Sequence, residues 1–430
     1  MHWTAACPRL QPHEMRALST YGELAEASLV DWPITPEELA PYYDRAEDQL
    51  GVTGTHGIDR LPGNNNYRVL EAAAKAVGYK DVDTNNMAIN SAPRDGRPGC
   101  LQLGFCTSGC VIGAKWSPLY GEIPAAEATG HFELRPNSMA VQITHDRKGR
   151  ANAVEYFDAS GKRQQQKASA VCVAANVADT TRLLLLSASS EFPNGLGNSS
   201  GLVGHNYMHH EHVTFAGIMP GPVNMHRGAH MAGIVKDEAK HDPSRGFAGG
   251  YIIATVPFSP ETLARLLAPR MWGKGIAHLL DNYQNLAMMM AIGEDPPRDS
   301  NRITLHPSKK DQYGIPVPVV HYKKHDNTRA MVKHMRNCAN RLYRSLGADD
   351  IYEMVDMMPG THNMGTARMG HDPEHSVCNA WGQSHDVDNL FITDGSLFPT
   401  AGCENPTITI VALALRQAEY LTSLKHDGQI

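Results

Sequence analysis

The feature that most constrains this chain is a strand–turn–helix segment near its C-terminal end. A strand is expected over 390–393, and it ends at Asp394 and Gly395, which places a carboxylate at the carboxyl end of a strand. A helix is expected to follow, with Asn405 as its N-cap and Pro406 as its first residue. In open α/β sheets ligands bind at the carboxyl ends of strands, and the positive end of a helix stabilises an anion or an electron-rich ring. The segment therefore predicts an α/β layer with a ligand site where strand and helix meet.

A histidine in the glycine-rich loop upstream supplies an acid–base group for the same region. His362 opens the run His-Asn-Met-Gly-Thr-Ala-Arg-Met-Gly, which ends at Gly370. An unperturbed imidazole titrates near neutral pH, so His362 is a candidate proton acceptor. Taken singly, each of these residues is equally consistent with turns around a packed C-terminal helix. Their joint pattern favours a catalytic site.

The rest of the chain mixes helical and strand-like segments. Helices are predicted over 36–50, where Thr35 and Glu38 can form a capping box, and over 67–77, 179–187 and 327–345. A β-meander is predicted with strands at 134–144, 151–157 and 168–175, separated by turn residues at 146–150 and 158–162. Strand-like pieces at 213–219, 248–256, 302–306 and 317–322 indicate an α+β region with a largely antiparallel sheet.

Composition limits the classes of protein that this chain can represent. The 430 residues are 42% hydrophobic and 20% charged, which is ordinary for a globular protein large enough for two domains. The formal net charge of -6 gives no reason to expect a nucleic-acid partner. The longest apolar runs, 183–186 and 408–415, are far shorter than the roughly 20 residues that cross a bilayer. We therefore expect no transmembrane segment, and no signal peptide is visible.

The C-terminal segments resemble, in the same order, three motifs of the glucose–methanol–choline (GMC) oxidoreductase family. The resemblance continues through the Trp-Pro-Ile segment at Trp32 and through 198–208 and 299–316, so it covers nearly the whole chain. It is nearest to bacterial dehydrogenases of the gluconate, sorbose and glucose type. It implies an FAD-dependent enzyme that oxidises a hydroxyl of a sugar, sugar acid or polyol by hydride transfer to flavin N5. Electrons would pass on to a cytochrome or a quinone.

The resemblance also assigns roles to individual residues. It makes His362 the base that takes the proton of the substrate hydroxyl, and it makes Asn405 the second active-site residue, a position that is His or Asn across the family. The cofactor-binding residues that it implies are His2, Val141, Asp394, Gly395, Pro406 and Thr407. Among these, Asp394 and Gly395 would contact the ribityl–pyrophosphate, and Pro406 and Thr407 would start the helix beneath the flavin pyrimidine.

A cysteine triplet indicates a second centre. Cys100, Cys106 and Cys110 have the spacing C-x5-C-x3-C on a glycine-containing loop, where thiolates can converge on a metal. Three ligands with no evident fourth fit a three-iron cluster better than structural zinc, which takes four. The resemblance supports a [3Fe-4S] cluster that relays flavin electrons to a haem subunit. An unmetallated thiol loop and a zinc site stay open as alternatives.

Other patterns have simpler interpretations. Gly195–Gly201 contains closely spaced glycines, but no clear strand precedes it and no helix follows, so we expect a loop rather than a dinucleotide-binding turn. The run from His209 to His212 is not expected to bind metal, because adjacent strand residues point to opposite faces. Met288, Met289 and Met290 are expected in the core.

The expected architecture is α/β plus α+β: a GMC-type FAD-binding domain that lacks its first βαβ unit, and a substrate domain with an antiparallel sheet. We expect a partial FAD-binding domain over 1–204 with a cysteine loop at 95–118, a substrate-binding domain over 205–350, and a catalytic and FAD-binding segment over 351–430. The pattern leaves two alternatives to the dehydrogenase: a truncated or split-gene fragment that is inactive alone, and an oxygen-using oxidase, against which the cysteine triplet argues. By resemblance, the partners are a small accessory subunit and a cytochrome c subunit, which would place the complex at the periplasmic side of a membrane; otherwise we expect the cytoplasm.

Overall fold

The computed structural model describes residues 3–267, 269, 271–348, 350–355 and 361–430. Over this part of the chain the α-helices are α1 (Ala17–Tyr21), α2 (Pro36–Leu50), α3 (Asn65–Ala76), α4 (Glu122–Ala128), α5 (Asn176–Leu186), α6 (Pro260–Leu267), α7 (Lys274–Asp281), α8 (Asp326–Ser345) and α9 (Thr407–His426). The strands are β1 (Val82–Thr84), β2 (Met139–His145), β3 (Ala151–Phe157), β4 (Arg163–Lys167), β5 (Val171–Val173), β6 (Glu211–Ile218), β7 (Gly233–Val235), β8 (Tyr251–Thr255), β9 (Leu286–Gly293), β10 (Arg302–Lys310), β11 (Pro316–His321), β12 (Ile351–Val355) and β13 (Leu390–Ile392).

Helix α2 forms where the sequence predicts it. The Thr35 side chain accepts a hydrogen bond from the Glu38 backbone, and the Glu38 carboxylate accepts one from the Thr35 backbone, so the capping box is present. Gly51, with φ 67°, ends the helix in the left-handed conformation. Helix α2 packs against α9, and Tyr43 Oη lies 2.7 Å from Thr409 Oγ1. This contact joins the N-terminal part of the chain to the first turn of the C-terminal helix.

An antiparallel sheet with the strand order β1-β7-β8-β9-β6-β12 forms the larger layer. Strands β6, β8 and β9 are buried along their whole lengths, and α3 and α8 pack against the sheet. The three consecutive methionines lie in β9, so their expected place in the core is confirmed. Tyr343 of α8 donates to the carbonyl oxygens of Phe215 and Ala287, at 2.8 and 3.0 Å, and so ties the helix to two neighbouring strands. The sheet also takes β1 and β12 from outside 205–350, and the division into domains stays a prediction.

The second layer is a parallel pair, β5 and β13, in which Phe391 is registered with Cys172. Each strand leads into a helix: β5 into α5 and β13, through a 3-10 helix at Gly395–Leu397, toward α9. The carboxyl ends of two parallel strands therefore meet the N-terminal ends of two helices. Ligands bind at such junctions, and this junction is the one that the sequence predicts.

The β-meander differs from expectation in its third strand. Strand β3 has the predicted bounds and β2 starts at Met139 rather than at 134, but β4 is Arg163–Lys167 rather than a strand at 168–175. Strand β4 reads Arg-Gln-Gln-Gln-Lys and is almost wholly exposed, so it carries no apolar alternation by which a sequence would reveal it. The apolar residues after it form β5, which leaves the meander to pair with β13. The loop at Gly195–Gly201 is confirmed.

The segments at 302–306 and 317–322 form a separate hairpin, β10–β11, which packs on α5. Arg182 of α5 donates to Asp311 at 2.5 Å and to the carbonyl of Pro316 at 2.8 Å. No helix in the described ranges combines the length and the apolar character that crossing a bilayer demands.

Candidate active site

The His362 loop is held between the antiparallel sheet and the parallel pair. Met364 exchanges two backbone hydrogen bonds with Met208, each 2.9 Å long, just before β6, and Gly365 N donates to the carbonyl of Gly395 at 3.0 Å. Gly365 has φ +78°, and a Cβ on it would lie 2.0 Å from the carbonyl oxygen of Asn206, so only glycine fits there. His362 itself has φ 54° and keeps a partly exposed edge. The loop therefore presents His362 between the two layers.

Asn405 contacts His362 instead of capping the following helix. Asn405 Nδ2 lies 3.3 Å from His362 Nε2, so the structure brings together the two predicted catalytic residues. The prediction that Asn405 is the N-cap is wrong: Pro406 occupies that position, and no side chain caps α9. The reason is that the Asn405 side chain is directed at His362. Among the described residues, Asn405 Oδ1 is buried and has no hydrogen-bond partner.

Two further histidines, His210 and His212, complete a cluster that sequence reasoning missed. His210 Nδ1 lies 2.9 Å from His362 Nδ1, and the His210 and His212 rings are 5.0 and 5.1 Å from the His362 ring. His212 Nδ1 lies 2.6 Å from Thr361 Oγ1. The adjacent-residue argument overlooks that positions two apart on an extended chain share a face, as His210 and His212 do. That alternation was the signal available in the sequence.

The ligand nitrogens of His210, His212 and His362 lie within 4.8 Å of one another, a spacing that a metal ion can use. The group contains no carboxylate that would offset the charge of a buried cation. The Nδ1 atoms of all three histidines are engaged in short contacts, between His210 and His362 and between His212 and Thr361. These contacts make the three histidines a hydrogen-bonded cluster.

Burial keeps the three histidines of this cluster unprotonated at neutral pH. Burial is the largest cause that lowers the pKa of His362 and of His210 well below the usual value, and neighbouring histidines lower both pKa values further. Burial lowers the pKa of His212 to about 3. A neutral imidazole has a free lone pair, which is the state that a proton acceptor requires.

The strand–helix junction offers groups that suit a nucleotide and an electron-rich ring. Asp394 is buried at the end of β13 and accepts hydrogen bonds from Ser396 N at 2.9 Å and from Thr180 Oγ1 at 2.5 Å. A Cβ on Gly395 would lie 2.8 Å from the carbonyl oxygen of Asn363, so this turn admits only glycine. Pro406 is buried at the start of α9, and as the N-cap residue it offers no side-chain hydrogen bond to the first-turn N–H groups of the helix. Buried donors without a side-chain cap fit a bound acceptor such as the pyrimidine edge of a flavin.

The other predicted cofactor residues lie apart from this junction or beyond the described residues. Thr407 is the first residue of α9, next to Pro406. Val141 is buried in β2, a strand that packs against α5, and its contact with a cofactor stays a prediction. His2 lies outside the described residues.

The cysteine triplet lines a small, partly enclosed cavity of about 30 Å³ on another part of the molecule. Each sulfur accepts one backbone N–H bond: Cys100 from Gln102 at 3.4 Å, Cys110 from Lys115 at 3.4 Å and Cys106 from His230 at 3.5 Å. The triplet is not among the groups in the described residues whose ligand atoms all lie within 4.8 Å of one another. Sulfurs on a single zinc ion, at a Zn–S distance of about 2.3 Å, lie at most about 4.6 Å apart. The arrangement is therefore too wide for one zinc ion.

A neutral histidine beside a strand–helix junction can accept a proton from a substrate next to a ligand bound at that junction. Models of the GMC oxidoreductase family match residues 30–212 and 297–414. The chain belongs to the GMC oxidoreductase family, whose enzymes act on CH–OH groups. The family implies FAD as the cofactor, and the residues at the junction fit it.

Individual relatives cover most of this chain. It is 34% identical to 2-methyl-1,2-propanediol dehydrogenase of Mycolicibacterium austroafricanum, over 98% of this chain and 79% of the relative. It is 28% identical to the fructose dehydrogenase large subunit of Gluconobacter japonicus, over 99% of this chain and 80% of the relative. The crystal structure of pyridoxine 4-oxidase from Mesorbium loti matches with a TM-score of 0.64 at 15% identity, over 97% of this chain and 81% of that chain. This last likeness establishes the fold.

Proposed function

We propose that this protein is an FAD-dependent dehydrogenase that oxidises a hydroxyl group of a sugar, sugar acid or polyol. The observation that carries the proposal is the neutral His362, whose Nε2 lies 3.3 Å from Asn405 Nδ2 at the start of α9. The substrate class is supported by relatives named as dehydrogenases of a diol and of fructose.

The roles of His362 and Asn405 follow from the lone pairs and N–H groups that each side chain has available. Bound FAD would supply the acceptor for the hydride of the carbinol carbon. His362 Nε2 accepts the proton of the substrate hydroxyl, which makes the ring an imidazolium. Once the substrate hydroxyl takes the Nε2 lone pair, Asn405 Nδ2 is released to donate to the substrate oxygen, and the unpartnered Asn405 Oδ1 can accept from an adjacent hydroxyl. A vicinal diol or a sugar has both groups.

Cys100, Cys106 and Cys110 are proposed to bind a [3Fe-4S] cluster that passes electrons to a cytochrome or a quinone. The proposal is supported by the hydrogen bond that each sulfur accepts, since such bonds stabilise cluster thiolates and tune their potential. It is supported also by the separation of the sulfurs, which exceeds what one metal ion spans.

The surface around this cavity suits a protein partner. Leu101, Leu103, Phe105 and Val111 are 66, 50, 61 and 84% exposed. Large apolar side chains grouped on a surface mark an interaction site. We propose that a cytochrome c subunit docks there and that a small accessory subunit completes the complex, which would attach it to the periplasmic side of a membrane. Relatives named as a large subunit and as a flavoprotein support such an assembly.

The enzymatic proposal is tested with the chain purified without oxygen. We expect flavin bands in its absorption spectrum and reduction of an artificial dye when a diol, a sugar acid or a sugar is added. His362→Gln should keep the flavin bands and lose about 10²- to 10⁴-fold in kcat, the usual contribution of a positioned base. Oxygen consumption at an equal rate would identify an oxidase instead. Unchanged turnover in His362→Gln would contradict the role of His362.

The electron path is tested separately with a pair of cysteine variants. Cys106→Ser should abolish reduction of a cytochrome or quinone while reduction of a two-electron dye continues. Cys172→Ser is the matched control, because Cys172 is exposed on β5, far along the chain from the cysteine loop. An iron–sulfur signal in the electron paramagnetic resonance spectrum should disappear in the first variant only. Equal cytochrome reduction by both variants would remove the cluster from the pathway.

A further inference from the structure

The contacts around His362 allow its proton to be placed. Asn405 Nδ2 is only a donor, so the 3.3 Å contact with His362 Nε2 requires a lone pair on Nε2. A neutral imidazole carries one proton, which must then be on His362 Nδ1. This conclusion rests on the proposed function, because the opposite tautomer would leave Nε2 without a lone pair for the substrate hydroxyl.

His210 faces the other nitrogen of the same ring. The 2.9 Å contact between the two Nδ1 atoms holds a single proton, so a donating His362 requires an accepting His210. The His210 proton is then on its Nε2, which is buried and makes no well-formed hydrogen bond within the part of the chain that the structure describes. The backbone of Ala401 and Gly402, in the segment that leads to Asn405, favours a proton on the His210 ring.

The position of His210 is rigid. It is fully buried and directly precedes β6, which pairs with β9 and β12. The titratable groups that face His362 besides His210 are His212 and His209, and both disfavour a charge on it. Among the described contacts of the His362 ring there is no charged partner. The orientation of the ring is therefore set by His210 and Asn405.

We propose that His210 is a positioning residue, whose Nδ1 accepts the Nδ1 proton of His362 and so directs the lone pair of His362 Nε2 at the substrate hydroxyl. When the substrate proton moves to His362 Nε2, the Nδ1 proton stays between the two rings. His210 thus does for this base what the buried aspartate does in a serine-protease triad, but as a neutral acceptor.

Two substitutions separate this role from packing. Asparagine places its Oδ1 where His210 has Nδ1, so His210→Asn keeps the acceptor. Glutamine is the control: it has similar polarity and more volume, but its polar atoms reach the place of Nε2. We expect His210→Gln to lose roughly 10- to 100-fold in kcat, part of what a positioned base contributes, and His210→Asn to stay within about 3-fold of the parent.

A readout independent of turnover distinguishes this inference from the proposed function. In the ¹⁵N spectrum of the histidine side chains, the His362 signal, identified by its loss in His362→Gln, should carry its proton on Nδ1 in the parent and in His210→Asn. In His210→Gln the Nε2–H form should appear. If the parent oxidises no alcohol but shows this pattern, the proposed function fails and the role of His210 stands.

The inference is overturned by either of two results. The first is an Nε2–H tautomer of His362 in the unaltered protein, which needs no variant and so does not depend on the variants folding. The second is an active parent in which His210→Gln and His210→Asn lose equal activity, or neither loses any, with the tautomer unchanged.

Discussion

Replacing His212 with asparagine should make the folded protein less sensitive to mild acid. His212 is 8% exposed, and burial lowers its pKa to about 3, whereas an unfolded histidine titrates near pH 6.5. Below pH 6.5 His212 therefore binds a proton in the unfolded chain but not in the folded protein. The free energy of unfolding then falls as the pH falls. Asparagine keeps an acceptor for Thr361 at the position of Nδ1 but does not titrate.

The size of the effect follows from the two pKa values. Between pH 7.5 and 5.5, a site that titrates at 6.5 only when unfolded destabilises the folded protein by about 1.4 kcal/mol. Glu294 and Asp295 act in the opposite direction, because burial raises the pKa of each to about 7 and their neutral forms gain in relative stability as the pH falls. Those contributions are the same in both proteins and cancel in the comparison.

The assay is urea unfolding at pH 7.5 and at pH 5.5, followed by the fluorescence of the 5 tryptophans. The parent should lose about 1.4 kcal/mol more than His212→Asn between the two pH values. An identical loss in both proteins would mean that His212 takes up a proton in the folded state over this pH range, as it does in the unfolded chain. The neutral histidine cluster, on which the assignment of His362 as a base depends, would then be wrong.

The remaining predictions concern residues that hold the site together. Tyr343→Phe should lower the free energy of unfolding by about 1–3 kcal/mol, because it removes the buried hydroxyl that bridges two strands, and urea unfolding measures it. Gly365→Ala should lower kcat by a larger factor than it lowers the folding equilibrium constant, since its Cβ would meet the Asn206 carbonyl and move the His362 loop. A variant with normal kinetics would contradict this. Asn405→Ala should lower kcat without raising the flavin dissociation constant, because Asn405 contacts His362 through its side chain only; loss of bound flavin would refute that.

Local sequence determined the elements whose signals lie within a few residues. The capping box of α2, the hairpin turns at 146–150 and 158–162, and the order strand, Asp394-Gly395, helix are decided by short-range hydrogen bonds and backbone preferences, and the structure has them all. The joint motif around His362 and Asn405 likewise identified the family before any contact was known.

Tertiary structure decided what depends on distant partners. Strand β4 exists because β3 supplies its ladder, although its side chains are polar and exposed. Asn405 does not cap α9, because His362 lies within reach of its amide. His210 and His212 join the site across about 150 residues of sequence because β6 starts beside the His362 loop. The tautomer of His362 is fixed by the acceptor that its Nδ1–H faces, which is His210 Nδ1. Only the folded chain brings these two atoms together.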